Sequence, residues 1–127
     1  MALNQTTTAS SNNGYGPSRA VEGDTGTFWC ASSGSFNQWL KVDLGASHTM
    51  TSIKQTFADN DGSTFYYKLE GSTNDSSYTT IADHTSTGVG YSTTDNVSGS
   101  YRYVRMTVTN ITNNHWASSK ELEVYGN

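Results

Sequence analysis

At 127 residues the chain is long enough for one domain with a real core, yet only 14% of it is charged and 33% apolar. A formal net charge of −4 argues against a nucleic-acid or anionic-membrane surface, since both need clustered Lys and Arg. No apolar run is long enough to span a membrane, no signal-peptide pattern follows Met1, and a single cysteine, Cys30, makes no internal disulfide.

Much of the remainder is Ser, Thr, Asn and Gly, which suits short strands joined by polar loops. A first strand is expected at 5–9, followed by the loop 11–18, SNNGYGPS. Residues 19–29, RAVEGDTGTFW, set Glu22, Asp24 and Thr27 around Gly23. These types suit a solvated turn as well as a loop shaped around an ion. In LKVDL, Leu40, Val42 and Leu44 share one face while Lys41 and Asp43 take the other. GASH, 45–48, reads as a plain turn. FYYKLE groups Phe65, Tyr67 and Leu69; RYVRMTV groups Val104, Met106 and Val108; ELEV groups Leu122 and Val124. No window of helical length carries an apolar stripe. The pattern is that of an all-β, antiparallel β-sandwich, with residues 1–127 as a single domain.

Most of the conspicuous side chains have structural readings. Trp29 and Trp39 are expected in the core, Cys30 as a small half-buried residue, and Arg102 and Arg105 against carboxylates. His48, His84 and His115 share no metal-ligand spacing and are expected in turns.

Antiparallel strands also sort the loops, because successive connections fall at alternate ends of a sandwich. The loops near 30–38, 58–64, 83–91 and 110–117 gather at one end, here called the tip, and the strand at 5–9 sends 11–18 there too. The turns 45–48, 72–77 and 98–100 gather at the other end. The tip carries Phe36, Asn37, Asp59, Asn60, Asp61, His84, Tyr91, Asn113, Asn114, His115 and Trp116, and the 11–18 loop adds Tyr15. All seven basic residues lie in strand-like or motif segments outside it.

The run Arg19–Asp24 with Thr27-Phe28-Trp29, then QWLKVDLG (38–45), YYKLEGSTNDSSY (66–78), YRYVRMTV (101–108) and WASSKELEVYG (116–126), resembles the discoidin, or coagulation factor 5/8 type C, domain. Among its branches the chain is most similar to bacterial carbohydrate-binding modules of family 32. The resemblance implies a jelly-roll-like β-sandwich of the galactose-binding-domain type. It also implies a structural calcium ion held by the carbonyls of Arg19 and Asp24, the Glu22 side chain, both oxygens of Thr27, the Lys120 carbonyl and the Glu121 carboxylate. Such an all-oxygen set suits a hard cation. The chain has Glu22 where the family has Asp, and the extra methylene sets that carboxylate farther out.

The functional expectation is a non-catalytic module that binds a polysaccharide or oligosaccharide and brings an appended glycoside hydrolase to it. No nucleophile motif or cofactor fingerprint is present, and Asp59 and Asp61 share one short polar loop without a partner to split their acidities. Aromatic faces cover the apolar side of a pyranose while amides and carboxylates meet its hydroxyls. The expected ligand-binding set is therefore Tyr15, Phe36, Asn37, Asp59, Asp61, His115 and Trp116. An acidic tip without Lys or Arg favours the ammonium groups of chitosan over uronates. Galactose-binding relatives use an arginine in these loops that this tip lacks. Galactose or N-acetylglucosamine is the alternative ligand, and a protein or phospholipid a further one. A bacterial, secreted, extracellular setting is expected, with the domain a monomeric module beside a catalytic domain of its parent chain and with neither nucleic acid nor membrane as partner.

Overall fold

The computed structural model describes residues 2–23, 26–58, 61–113 and 115–126. Among these the elements run β1 (Thr6–Ala9), a 3-10 helix (Pro17–Val21), β2 (Trp29–Cys30), β3 (Gln38–Thr56), β4 (Phe65–Ser72), β5 (Thr79–Asp83), β6 (Ser92–Asn96), β7 (Ser100–Ile111), β8 (Ser118–Ser119) and β9 (Glu121–Gly126). The larger layer has the order β1-β3-β7-β4-β5. The second half of β3 pairs with β6 and β9 to form the smaller layer, and β2 pairs with β8 beside them. Every pairing is antiparallel. This is the expected β-sandwich.

The alternation seen in the sequence decides what is buried. Leu40, Val42, Leu44, Phe65, Tyr67, Leu69, Val104, Met106, Val108, Leu122 and Val124 are all buried, meeting Ile53 from the far half of β3 and Phe57 just after its end. Each large apolar side chain removed from water contributes about 1.5–3 kcal/mol. Phe57 stacks on Phe65 with centroids 4.2 Å apart and meets Tyr67 edge-on at 5.3 Å.

The outer face of the large layer is laced by charge pairs. Lys41 binds Asp75, Arg102 binds Asp43, and Arg105 binds Glu70, as expected for both arginines. Trp39 departs from expectation. Trp29 is fully buried and donates Nε1–H to the Ser11 carbonyl at 2.9 Å, whereas Trp39 alternates with buried Leu40 and lies half-exposed beneath Lys41.

Two other expectations are corrected. GASH is not a separate turn but part of β3, whose register with β7 shifts between Asp43 and His48. Gly45 has φ +84°, and its N–H donates to Asp43 Oδ1 at 2.8 Å. A bulge of this kind bends the strand and carries it from one layer to the other without a hairpin. His48 accordingly sits in β3, opposite Tyr101. His84 does more than turn the chain: its Nε2 is 2.8 Å from Asp95 Oδ1, and its ring lies 5.1 Å from that of Tyr67. Burial pushes the Tyr67 hydroxyl's pKa up, reinforced by the neighbouring Asp95 charge.

Candidate functional site

The registers place the loops. Ala9 pairs with Leu40, Gln38 with Val108 and Phe65 with Ile111, while an isolated bridge joins Phe65 to Val89. The described residues of the segments 10–16, 31–37, 57–58, 61–64, 84–91, 112–113 and 115–117 therefore share one end of the sandwich, the tip.

At the tip is a cavity of about 360 Å³ lined by Asn13, Tyr15, Phe28, Cys30, Ala58, His115, Trp116 and Ser118. Its two exposed rings are Tyr15, 45% exposed, and Trp116, 42% exposed. Tyr15 is held by short local bonds. Its N–H donates to Asn13 Oδ1, and its carbonyl accepts from Cys30 N–H, each at 3.1 Å. The Phe28 ring meets it edge-on at 5.0 Å, and the Arg19 guanidinium lies 5.2 Å from its centroid. Trp116 lies against the backbone of Gly34, where a Cβ would come within 3.2 Å of the indole Cδ1 and Nε1.

His115 brings a carboxylate to the rim. Its Nε2 is 2.7 Å from Oδ2 of the exposed Asp61. Asp61 Oδ1 accepts from both the N–H and the hydroxyl of Ser63, whose Oγ also accepts from Asn113 Nδ2 at 2.9 Å. The Ser63 hydroxyl and then His115 lower the Asp61 pKa to about 2, keeping it anionic near neutrality.

Of the residues expected to bind ligand, Tyr15, His115 and Trp116 share the cavity, and Asp61 joins them through His115. Phe36 is partly buried against the core, and Asn37 is exposed outside the cavity lining. Asp59 lies outside the described residues. Of the other tip residues, His84 is engaged by Asp95, and the Tyr91 hydroxyl accepts from Lys120 Nζ. The expectation of a tip without basic groups is therefore corrected: long side chains bring the Lys120 ammonium to Tyr91 and the Arg19 guanidinium over the Tyr15 ring, although both backbones lie outside the tip loops. Sequence reasoning missed Asn13, Phe28, Cys30, Ala58 and Ser118. The signal for Asn13 and Phe28 was their position flanking Tyr15 and ending the 19–28 run; Ala58 and Ser118 carry none.

The second candidate is the loop that the family resemblance assigns to calcium. Glu121 is only 5% exposed, and its two carboxylate oxygens accept from Gly23 N–H at 3.2 and 3.1 Å. Gly23 has φ +74°, and a Cβ there would sit 3.0 Å from Leu3 Cδ1, so conformation and space both select glycine. The Thr27 hydroxyl donates to Glu22 Oε1 at 2.9 Å. Arg19 belongs to the 3-10 helix, and Lys120 is anchored through its N–H to the Thr56 carbonyl at 2.8 Å. Asp24 lies outside the described residues. Among the described residues no three His, Cys, Asp or Glu side chains cluster as a metal site. The side-chain donors described there are the Glu22 and Glu121 carboxylates and the Thr27 hydroxyl, all hard oxygens of the type that calcium takes and a soft metal does not.

A family model for the F5/8 type C domain matches residues 5–122. No curated protein matches the chain in sequence. Among solved structures, chitosan-binding module 1 of a chitosanase/glucanase from Paenibacillus sp. IK-5 is 32% identical, with a TM-score of 0.88 over 98% of this chain and 97% of that one. Chitosan-binding module 2 of the same enzyme, in complex with chitotriose, is 28% identical, with a TM-score of 0.87 over 98% of both chains. CpGH89CBM32-4 of Clostridium perfringens, in complex with GlcNAc-α-1,4-galactose, shares the fold at 21% identity, with a TM-score of 0.84 over 97% of this chain and 90% of that one. Chains of this one fold are thus found with different sugars, so the fold by itself does not name the ligand.

Proposed function

The chain belongs to the F5/8 type C family, and from that premise we propose that it is a non-catalytic carbohydrate-binding module with chitosan or its glucosamine oligosaccharides as preferred ligand. One arrangement carries this reading. Two exposed rings, Tyr15 and Trp116, wall the tip cavity, anionic Asp61 is bonded to His115 of its wall, and no Lys or Arg is among the lining residues, the Arg19 guanidinium lying beyond the lining against the Tyr15 ring. Ring faces cover the apolar face of a pyranose, and a carboxylate beside them receives an ammonium group in a charge-assisted hydrogen bond. The likeness to two chitosan-binding modules supports the same choice. In its parent chain the module, secreted and monomeric, holds an appended catalytic domain on the polymer. A calcium ion at Arg19, Glu22, Asp24, Thr27, Lys120 and Glu121 staples the 19–27 segment to β9.

A neutral sugar, galactose or N-acetylglucosamine, is the second reading. It is favoured by Asn13 and His115, which line the cavity and present an amide and an imidazole to hydroxyls.

Calorimetric titration with chitotriose, galactose, an N-acetylglucosamine oligosaccharide and a uronate tests both readings. Chitotriose is expected to bind, more weakly as salt rises and as the sugar is N-acetylated, because exposed ion pairs are screened and acetylation removes the cation. Asp61→Asn should weaken it about fivefold or less, as befits a wet carboxylate. Salt-independent binding of galactose with chitotriose ignored overturns the amino-sugar reading; cleavage of any of these sugars overturns the non-catalytic one.

A further inference from the structure

The tip cavity shares a wall with the stretch that carries Arg19 and Thr27. A smaller cavity of about 130 Å³, lined by Tyr15, Arg19, Gly26, Thr27 and Phe28, lies beside the tip cavity, and Tyr15 and Phe28 line both. Arg19 reaches both sites at once. Its carbonyl belongs to the donor set assigned to the ion, while its guanidinium lies 5.2 Å from the centroid of the Tyr15 ring. From the other side Phe28, the residue after Thr27, meets the same ring edge-on at 5.0 Å. Tyr15 is therefore flanked by two side chains whose backbones enter and leave the 19–27 segment.

We propose that Arg19 is a positioning residue that couples the two sites, so that calcium in the loop raises the affinity of the tip for sugar and sugar raises the affinity of the loop for calcium. The proposal rests on the calcium and carbohydrate readings above. The physical ground is preorganisation. A ring on which a sugar stacks must be held in one orientation, and an unsupported ring spends binding energy on being ordered. An ion gripping the Arg19 carbonyl and the Thr27 oxygens fixes the backbone that carries the guanidinium and Phe28, and through them the Tyr15 ring. Linkage makes the effect reciprocal, by the same factor in both directions. Arg19 does not line the tip cavity, so its effect on sugar passes through Tyr15.

The test uses the whole chain, stripped with a chelator and then supplied with calcium chloride, with chitotriose as the sugar probe and the other sugars of the panel in parallel. Calcium is expected to raise both the melting temperature and the affinity for the bound sugar, the latter about three- to tenfold. In Arg19→Met, which keeps the backbone carbonyl, calcium should still raise the melting temperature while the gain in sugar affinity falls towards one. Arg19→Lys, which keeps a cation over the ring, should restore part of that gain. Calcium that raises the melting temperature but leaves sugar affinity unchanged overturns the coupling and spares the ion. An undiminished gain in Arg19→Met and Arg19→Lys overturns the role of Arg19. Calcium without effect on melting removes the ion and the coupling together, and no binding of any sugar removes the carbohydrate reading and the coupling with it.

Discussion

Asp61 and His115 stand 54 residues apart in the chain, yet Oδ2 of one lies 2.7 Å from Nε2 of the other. The contact ties the loop after β3 to the loop after β7, and it connects the cavity wall to its acidic rim.

That pair has a signature in acid. Asp61's pKa is lowered from 3.8 to about 2 by the Ser63 hydroxyl and His115, so its folded state binds the proton less readily than its unfolded state. The resulting stabilisation is present above the unfolded value and is lost as pH falls through about 2. Melting curves of the wild type and Asp61→Asn should therefore differ most above about pH 5 and converge towards pH 2. A gap that stays constant across that window would remove the pair from the stability of the tip.

Trp116 gives a direct measure of the stacking surface. Because it is 42% exposed and rests on Gly34, Trp116→Ala should lower the melting temperature moderately without unfolding the chain, while weakening sugar binding by about 1 kcal/mol or more. Gly34→Ala approaches the same ring from behind. The new Cβ, 3.2 Å from the indole, displaces the ring by a few tenths of an ångström and should cost less affinity than the truncation. Titrations of both variants against one sugar check the order; equal affinities in wild type and Trp116→Ala would take the indole out of the site.

The buried carboxylate of Glu121 predicts how an ion would be felt. An ion that binds only the folded chain adds about 2.7 kcal/mol at a hundred times its Kd, so a chelator should lower the melting temperature. Glu121→Ala takes the acceptor from Gly23 N–H, costing about 1–3 kcal/mol with or without calcium, and should also erase the chelator's effect. If added calcium and chelator leave the wild-type melt unchanged, Glu121 holds Gly23 N–H without an ion.

How legible these features were depended on what the residues could signal alone. The strands through Leu40, Tyr67, Met106 and Leu122 announced themselves because one face of each is buried and period two follows. β5 and β6, TTIAD and STTDN, carry too few apolar residues to show a face; they are edge strands formed by pairing with β4 and the far half of β3. GASH looked like a turn because a bulge uses the same Gly and Asp chemistry as a turn. Loop sorting sufficed to bring Tyr15, His115 and Trp116 to one end. It could not show that Phe36 packs inward, nor that Cys30, expected as a half-buried filler, also lines the cavity, because loop conformation decides both.

The charge pairs on the outer face of the large layer have a kinetic consequence. Lys41, Lys68, Arg102 and Arg105 are engaged there with Asp43, Glu70 and Asp75, so four of the seven basic residues are spent where their fields nearly cancel. The chain's excess of acid is thereby left to the loops and remaining edges. A polycation diffusing in from beyond contact distance is drawn towards these and not towards the flat sheet. With chitosan as the ligand, as proposed, encounters would be oriented before any ring is touched, and the association rate should fall with ionic strength as the field shortens.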